Sequence, residues 1–161
     1  MLAELARRGY ATVDEPGRRV VREQIASGGS ALPWRDLHAF LQRTFALAVA
    51  DCAASAAVLT FFDRGMIDAA IGLEHLTHRP AASVLVGQAR YERLVFLTPP
   101  WPEIYITDTE RRHGFDEAVA EYERLLCGFD RLGYDVRILP KVGVSARADA
   151  VLAQLARPSR E

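Results

Sequence analysis

Residues 58–65 read Val-Leu-Thr-Phe-Phe-Asp-Arg-Gly, an apolar β-like run that ends on Asp63, Arg64 and Gly65. Open α/β sheets bind their ligands at the carboxyl ends of strands, so an acid and an arginine delivered there are the residue types of a phosphate or nucleotide site. Asp63 could hold Mg2+ directly or through water, or act as a base toward a hydroxyl. Arg64 could grip a phosphate or a carboxylate with two parallel N–H bonds. The same tripeptide also suits an ordinary strand-to-helix turn, with Asp63 capping a helix that starts near Met66.

Two further clusters have comparable chemistry. Asp14, Glu15, Pro16, Gly17, Arg18 and Arg19 follow a short apolar segment. A carboxylate there could accept a hydrogen bond from a substrate hydroxyl or sit near a metal, and the arginines could reach phosphate; a turn followed by a solvated charged face is the alternative. Residues 98–112 form the third cluster, rich in proline, with Trp101 and Tyr105 offering flat apolar surface. Arg111 and Arg112 sit where a flap could bring positive charge over a transferring phosphoryl group. Here the alternative is a long surface loop with a charged helix start. The four histidines, His38, His75, His78 and His113, lack the companions of a metal set. Ser55, Ser83 and Ser145 lie in no Gly-x-Ser-x-Gly elbow.

Periodicity supplies the elements that must position these groups. It predicts helices over 1–8, 18–26, 33–52, 66–75, 81–89, 115–132 and 145–155, with Pro33 in the first turn of the third and Ser145 capping the last. Strands are predicted over 10–13, 58–62, 93–97 and 134–139. Alternating strands and helices imply right-handed crossovers and a parallel sheet. The near-continuous apolar character of 58–62 suits a central strand covered on both faces. Each charged cluster then lies just after a strand.

Composition bounds the reading. The 161 residues suit one domain over 1–156 with a polar tail at 157–161, and 50% hydrophobic with 25% charged residues is ordinary for a globular fold. Net charge is -1, from 20 basic and 21 acidic side chains, which gives no electrostatic case for nucleic acid or an anionic membrane. The apolar run at 44–50 is too short to span a bilayer. Residues 1–10 are charged and amphipathic rather than signal-like, so the cytoplasm is the expected location. Cys52 and Cys127 both read as buried thiols.

One ordered set of segments resembles a known family. It comprises Gly-Tyr-Ala-Thr-Val-Asp-Glu-Pro-Gly-Arg at 9–18, Phe-Phe-Asp-Arg-Gly-Met-Ile-Asp at 61–68, and Tyr-Glu-Arg-Leu-Val-Phe-Leu-Thr-Pro-Pro-Trp at 91–101. Asp-Thr-Glu-Arg-Arg at 108–112 and Leu-Gly-Tyr-Asp-Val-Arg-Ile-Leu-Pro at 132–140 complete it. Together they resemble the AAA-type ATPases of the P-loop kinase-like group, which includes the nicotinamide riboside kinase domain of NadR. The resemblance implies a three-layer α/β P-loop NTPase fold that binds ATP with Mg2+, and a small-molecule phosphate acceptor as a further partner. By the same resemblance Asp63 and Arg64 lie near the magnesium and acceptor site, Glu15 faces the acceptor pocket, and Arg111 and Arg112 approach the phosphates.

The chain departs from that pattern in one respect. The family begins with a strand, then Gly-x-x-x-x-Gly-Lys-Ser/Thr, whose amides cradle phosphates, whose lysine reaches the β- and γ-phosphates and whose hydroxyl holds Mg2+. No such segment occurs here, and residues 1–9 match the helix that follows it. By resemblance the strand so lacking is central, between the counterparts of 58–62 and 93–97. Three expectations follow: an ATPase or small-molecule kinase impaired as written, with the loop lying upstream of an assigned start; a chain in which the two flanking strands pair directly; or a non-catalytic interaction module that keeps the fold.

Overall fold

Alternating helix and strand segments dominate the computed structural model, which describes residues 1–55, 58–106, 108 and 114–156. Their order is α1 (Leu2–Arg7), β1 (Ala11–Val13), α2 (Pro16–Ser27), α3 (Leu37–Ala54), β2 (Thr60–Phe62), α4 (Met66–Thr77), α5 (Ala81–Val84), β3 (Leu94–Leu97), α6 (Phe115–Arg131), β4 (Asp135–Ile138) and α7 (Val144–Leu155). Among the described residues no helix is long and apolar enough to cross a membrane.

Local chemistry explains most boundaries. Pro16 occupies the first turn of α2, where its missing N–H costs nothing, and Gly28 closes the helix in the left-handed conformation at φ 68°. Three expectations are corrected. α3 starts at Leu37, not at Pro33, because the Asp36 side chain caps it by accepting from the Ala39 amide at 3.0 Å. α5 stops at Val84 instead of running to residue 89, with Gly87 at φ 76° just beyond. Gly143, not Ser145, precedes α7; the Ser145 hydroxyl instead accepts from Arg8 at 2.9 Å. Cys52 is buried as expected, but Cys127 is exposed on α6.

Among the described residues all pairing is parallel, in two separate pairs. β1 lies beside β2 with Ala11, Thr12 and Val13 opposite Thr60, Phe61 and Phe62, and β3 lies beside β4 with Leu94 opposite Asp135. Among the described residues no ladder joins β2 to β3, so the expected direct pairing of these strands is not observed. Both carry the apolar sequence of central strands, yet every residue in them is only half-buried.

The main buried core packs against the β3–β4 pair. Ala48 and Cys52 of α3, Met66, Ile67, Ala70 and Ile71 of α4, and Leu125 and Phe129 of α6 form one buried cluster, with Val95 and Val136 against it. Elsewhere α1 packs on β1 and on α7, and Arg8 ties the two helices through a 2.6 Å ion pair to Asp149. The approach of α4 to α6 depends on Gly128, where a Cβ would lie 2.5 Å from Ile71 Cδ1 and 2.8 Å from its Cγ1. Gly128→Ala should therefore lower stability by about 1–3 kcal/mol through overpacking. A urea midpoint unchanged from wild type would contradict this.

Candidate functional site

The β1–β2 register builds the site. Val13 is opposite Phe62, so the residues that follow each strand emerge side by side. The Asp63 amide continues the ladder by donating to the Val13 carbonyl at 3.0 Å. Two steps past each strand end stand Glu15 and Arg64, which meet with Arg64 Nε 3.7 Å from Glu15 Oε1. The other face of Arg64 reaches α6, where its terminal nitrogen lies 2.6 Å from Glu121 Oε1. Glu15 also lies 3.3 Å from Arg18 Nε, and Arg18 in turn pairs with Asp108 at 3.0 Å. A chain of alternating charge thus runs Asp108, Arg18, Glu15, Arg64, Glu121, drawn from the turns after β1 and β2, the first turn of α2, the segment after β3, and α6.

Each residue of the tripeptide has its own part. The Asp63 side chain faces solvent and makes no hydrogen bond or ion pair among the described residues. It does not cap α4. That helix starts from Gly65, whose amide donates to the Asp68 carboxylate at 2.9 Å, the half of a capping box that needs no N-cap side chain. Arg64 sits in the left-handed region at φ 61°, a conformation few non-glycine residues adopt. Gly65 is extended and makes room for Tyr91, whose hydroxyl a Cβ there would overlap. The Tyr91 hydroxyl accepts from the Met66 amide at 3.3 Å, and its ring packs on Phe62 with centroids 5.0 Å apart.

Electrostatics follow from this packing. Burial works against the charge on Arg64, but the Glu121, Asp68 and Glu15 carboxylates outweigh it and hold the guanidinium firmly protonated. Burial pushes the Asp68 carboxyl up to about 6, against the pull of Arg64 and of the Gly65 amide. Burial also raises the Tyr91 phenol above its usual range.

Of the residues expected at a site, Glu15 and Arg64 are in contact, and Asp63 stands beside them with its carboxylate exposed. Arg111 and Arg112 lie outside the described residues. Arg19, which could have reached phosphate, is bound to Asp51 of α3 at 2.6 Å. Glu121, Asp68 and Tyr91 were not anticipated. For Asp68 a signal existed, since it is an acid three residues after Gly65, at the spacing from which a carboxylate reaches back to the amide before a helix. Glu121 and Tyr91 arrive through long-range packing that no local spacing marks.

Mg2+ is held characteristically by one or two carboxylates together with phosphate oxygens and water. The exposed Asp63 carboxylate fits that mode, whereas no group of three or more acidic, histidine or cysteine ligands occurs among the described residues. Arg64 retains a side chain 34% exposed, enough to offer a guanidinium edge to an anion while its other contacts persist.

The raised Asp68 carboxyl sets a pH dependence. A group ordinarily titrating at 3.8 and held at about 6 in the fold stabilises it fully below its ordinary value, and that contribution is lost as pH rises through about 6. Urea midpoints of wild type and Asp68→Asn should therefore diverge between about pH 4 and 7, with wild type losing ground as pH rises. A constant difference across that range would mean that Asp68 titrates normally.

No curated protein and no solved structure matches this chain. A family profile described as an AAA domain matches residues 1–147. With nearly the whole sequence covered, including both site-forming turns, the chain belongs to the AAA domain family.

Proposed function

We propose that this chain contributes the magnesium- and acceptor-facing side of an ATP-dependent P-loop enzyme, an ATPase or a small-molecule kinase. The family assignment suggests a nucleotide-binding P-loop NTPase-like domain. The observation that carries the finer reading is the arrival of Asp63, Arg64 and Glu15 together at the carboxyl ends of two paired parallel strands. In this reading Asp63 holds Mg2+ through one carboxylate oxygen, Arg64 pairs with an anionic oxygen of the ligand, and Glu15 orients the acceptor hydroxyl. Arg111 and Arg112 bring positive charge to the phosphates. Mg-ATP would supply the phosphoryl group and the metal charge that offsets its negative oxygens.

The phosphates themselves have no cradle in these residues. The sole lysine, Lys141, stands between Pro140 and Val142, in no Gly-Lys-Ser/Thr context. A loop of that kind, on a strand of its own, has to be added for tight nucleotide binding. In the ATPases that the sequence resembles, this strand lies between the counterparts of β2 and β3. The absence, among the described residues, of any ladder between β2 and β3 supports that place for it.

Calorimetry tests the reading in two steps. Titrating Mg-ATP into residues 1–161 should give no saturable binding in the micromolar range, and such binding would overturn the need for an added loop. A form carrying a strand and a Gly-x-x-x-x-Gly-Lys-Ser/Thr loop ahead of residue 1 should bind Mg-ATP. In that form Asp63→Ala should abolish turnover with the circular dichroism unchanged. An extended form that folds and still ignores ATP would favour a non-catalytic interaction module.

A further inference from the structure

A cleft of about 290 Å³ opens where the chain leads into β3 and β4, lined by Arg90, Tyr91, Arg93, Leu132, Gly133 and Tyr134. It shares no residue with the Asp108–Arg18–Glu15–Arg64–Glu121 chain of charges. Its aromatic walls are fixed from behind. Tyr91 is pinned by Phe62 and by the Met66 amide, and Tyr134 packs edge-on against Phe129 at 5.5 Å and 88°. Gly133, at φ 81°, turns the chain between Leu132 and Tyr134 without a side chain of its own. The ring positions are therefore set before any ligand arrives, which reduces the ordering cost of binding.

The polar groups of the cleft are under-used. Arg90 makes no ion pair or side-chain hydrogen bond among the described residues. Arg93 has one loose contact, 3.7 Å to Asp135, with side chains 76% and 55% exposed. The Tyr134 hydroxyl has no hydrogen-bond partner among the described residues. Burial raises that phenol, and the nearby charge of Arg90 pulls the other way, which places the two groups within electrostatic reach.

We propose that this cleft binds a small phosphate monoester with a flat apolar body. Two guanidinium groups and a phenol hydroxyl supply donors for a dianionic head, which suits phosphate better than a monoanionic carboxylate. Tyr91, Tyr134 and Leu132 supply the surface against which a ring can lie. The volume is at the lower end of the range for ligand pockets, so it fits a fragment-sized ester and not a nucleoside triphosphate. The cleft thereby differs from the proposed nucleotide site in ligand, and of the residues described at that site it shares only Tyr91.

Phenyl phosphate is the probe, titrated by calorimetry into the 161-residue chain, with inorganic phosphate and phenol as comparators. Saturable binding in the low millimolar range or tighter is expected, with each comparator weaker by about tenfold because it offers only half of the contacts. Arg90→Gln should weaken phenyl phosphate by about tenfold through loss of the bidentate donor. Tyr134→Phe should weaken it by a smaller factor. Arg79→Gln, at an exposed arginine outside the cleft, should leave it unchanged. Circular dichroism checks that each variant folds as wild type does. Absence of saturable binding, equal affinity for inorganic phosphate, or an unaltered Arg90→Gln titration would overturn the proposal. None of these outcomes bears on Mg-ATP binding at the other site.

Discussion

The parallel register of β1 on β2 is the constraint on which the rest of this site depends. With Val13 opposite Phe62, the turns after the two strands cannot diverge, and the second residue of each, Glu15 and Arg64, are brought within ion-pair range. A shift of one residue along β2 would turn Phe61 and Phe62 to opposite faces and carry Arg64 away from Glu15. The aromatic pairs on this ladder oppose that slip. Phe61 meets Tyr10 edge-on at 5.4 Å, and Phe62 meets Tyr91 at 5.0 Å. Packing of apolar rings thus helps set the positions of the charged groups.

Arg64 converts that register into a junction. Its left-handed backbone is an unfavourable conformation for a long side chain, and such conformations persist where surrounding contacts over-determine them. Those contacts come from two directions: Glu15 from the β1 turn and Glu121 from α6. The same residue therefore links the strand pair that carries the site to the helix packed beside the other pair. Gly65 completes the junction by admitting Tyr91, which leads into β3. Within three consecutive residues the chain presents a solvent-facing carboxylate, a cross-linking cation and a packing contact.

Much of this was legible in the sequence because it is encoded locally. Apolar runs at 58–62 and 93–97 announce strands, the glycines at 28 and 133 announce helix ends, and charged residues directly after an apolar run mark a strand terminus. Less local features were misread. Pro33 looks like a helix start until Asp36 is seen to supply the cap. Ser145 looks like a cap until Arg8 claims its hydroxyl from the far end of the chain. Glu121 is one polar residue among several on α6, and nothing in its neighbours reveals that Arg64 is its partner. The parallel mode of pairing followed from the alternation of elements, but the division into two pairs did not. Sequence patterns report that a strand is apolar on both faces; they do not report which neighbour lies beside it.

That division has a consequence for the chain as a material. Among the described residues each of the four strands pairs on one side only, and three of them, β1, β2 and β3, lack the charged and proline residues that usually guard an open edge. The outer strand β4 carries Asp135 and Arg137, which discourage a newcomer; Thr60, Phe61 and Phe62, or Leu94 through Leu97, do not. Backbone amides and carbonyls along these edges are templates for any extended apolar segment that drifts past. Solubility at high concentration, and survival beside nascent polypeptides, then depend on how those edges are kept occupied.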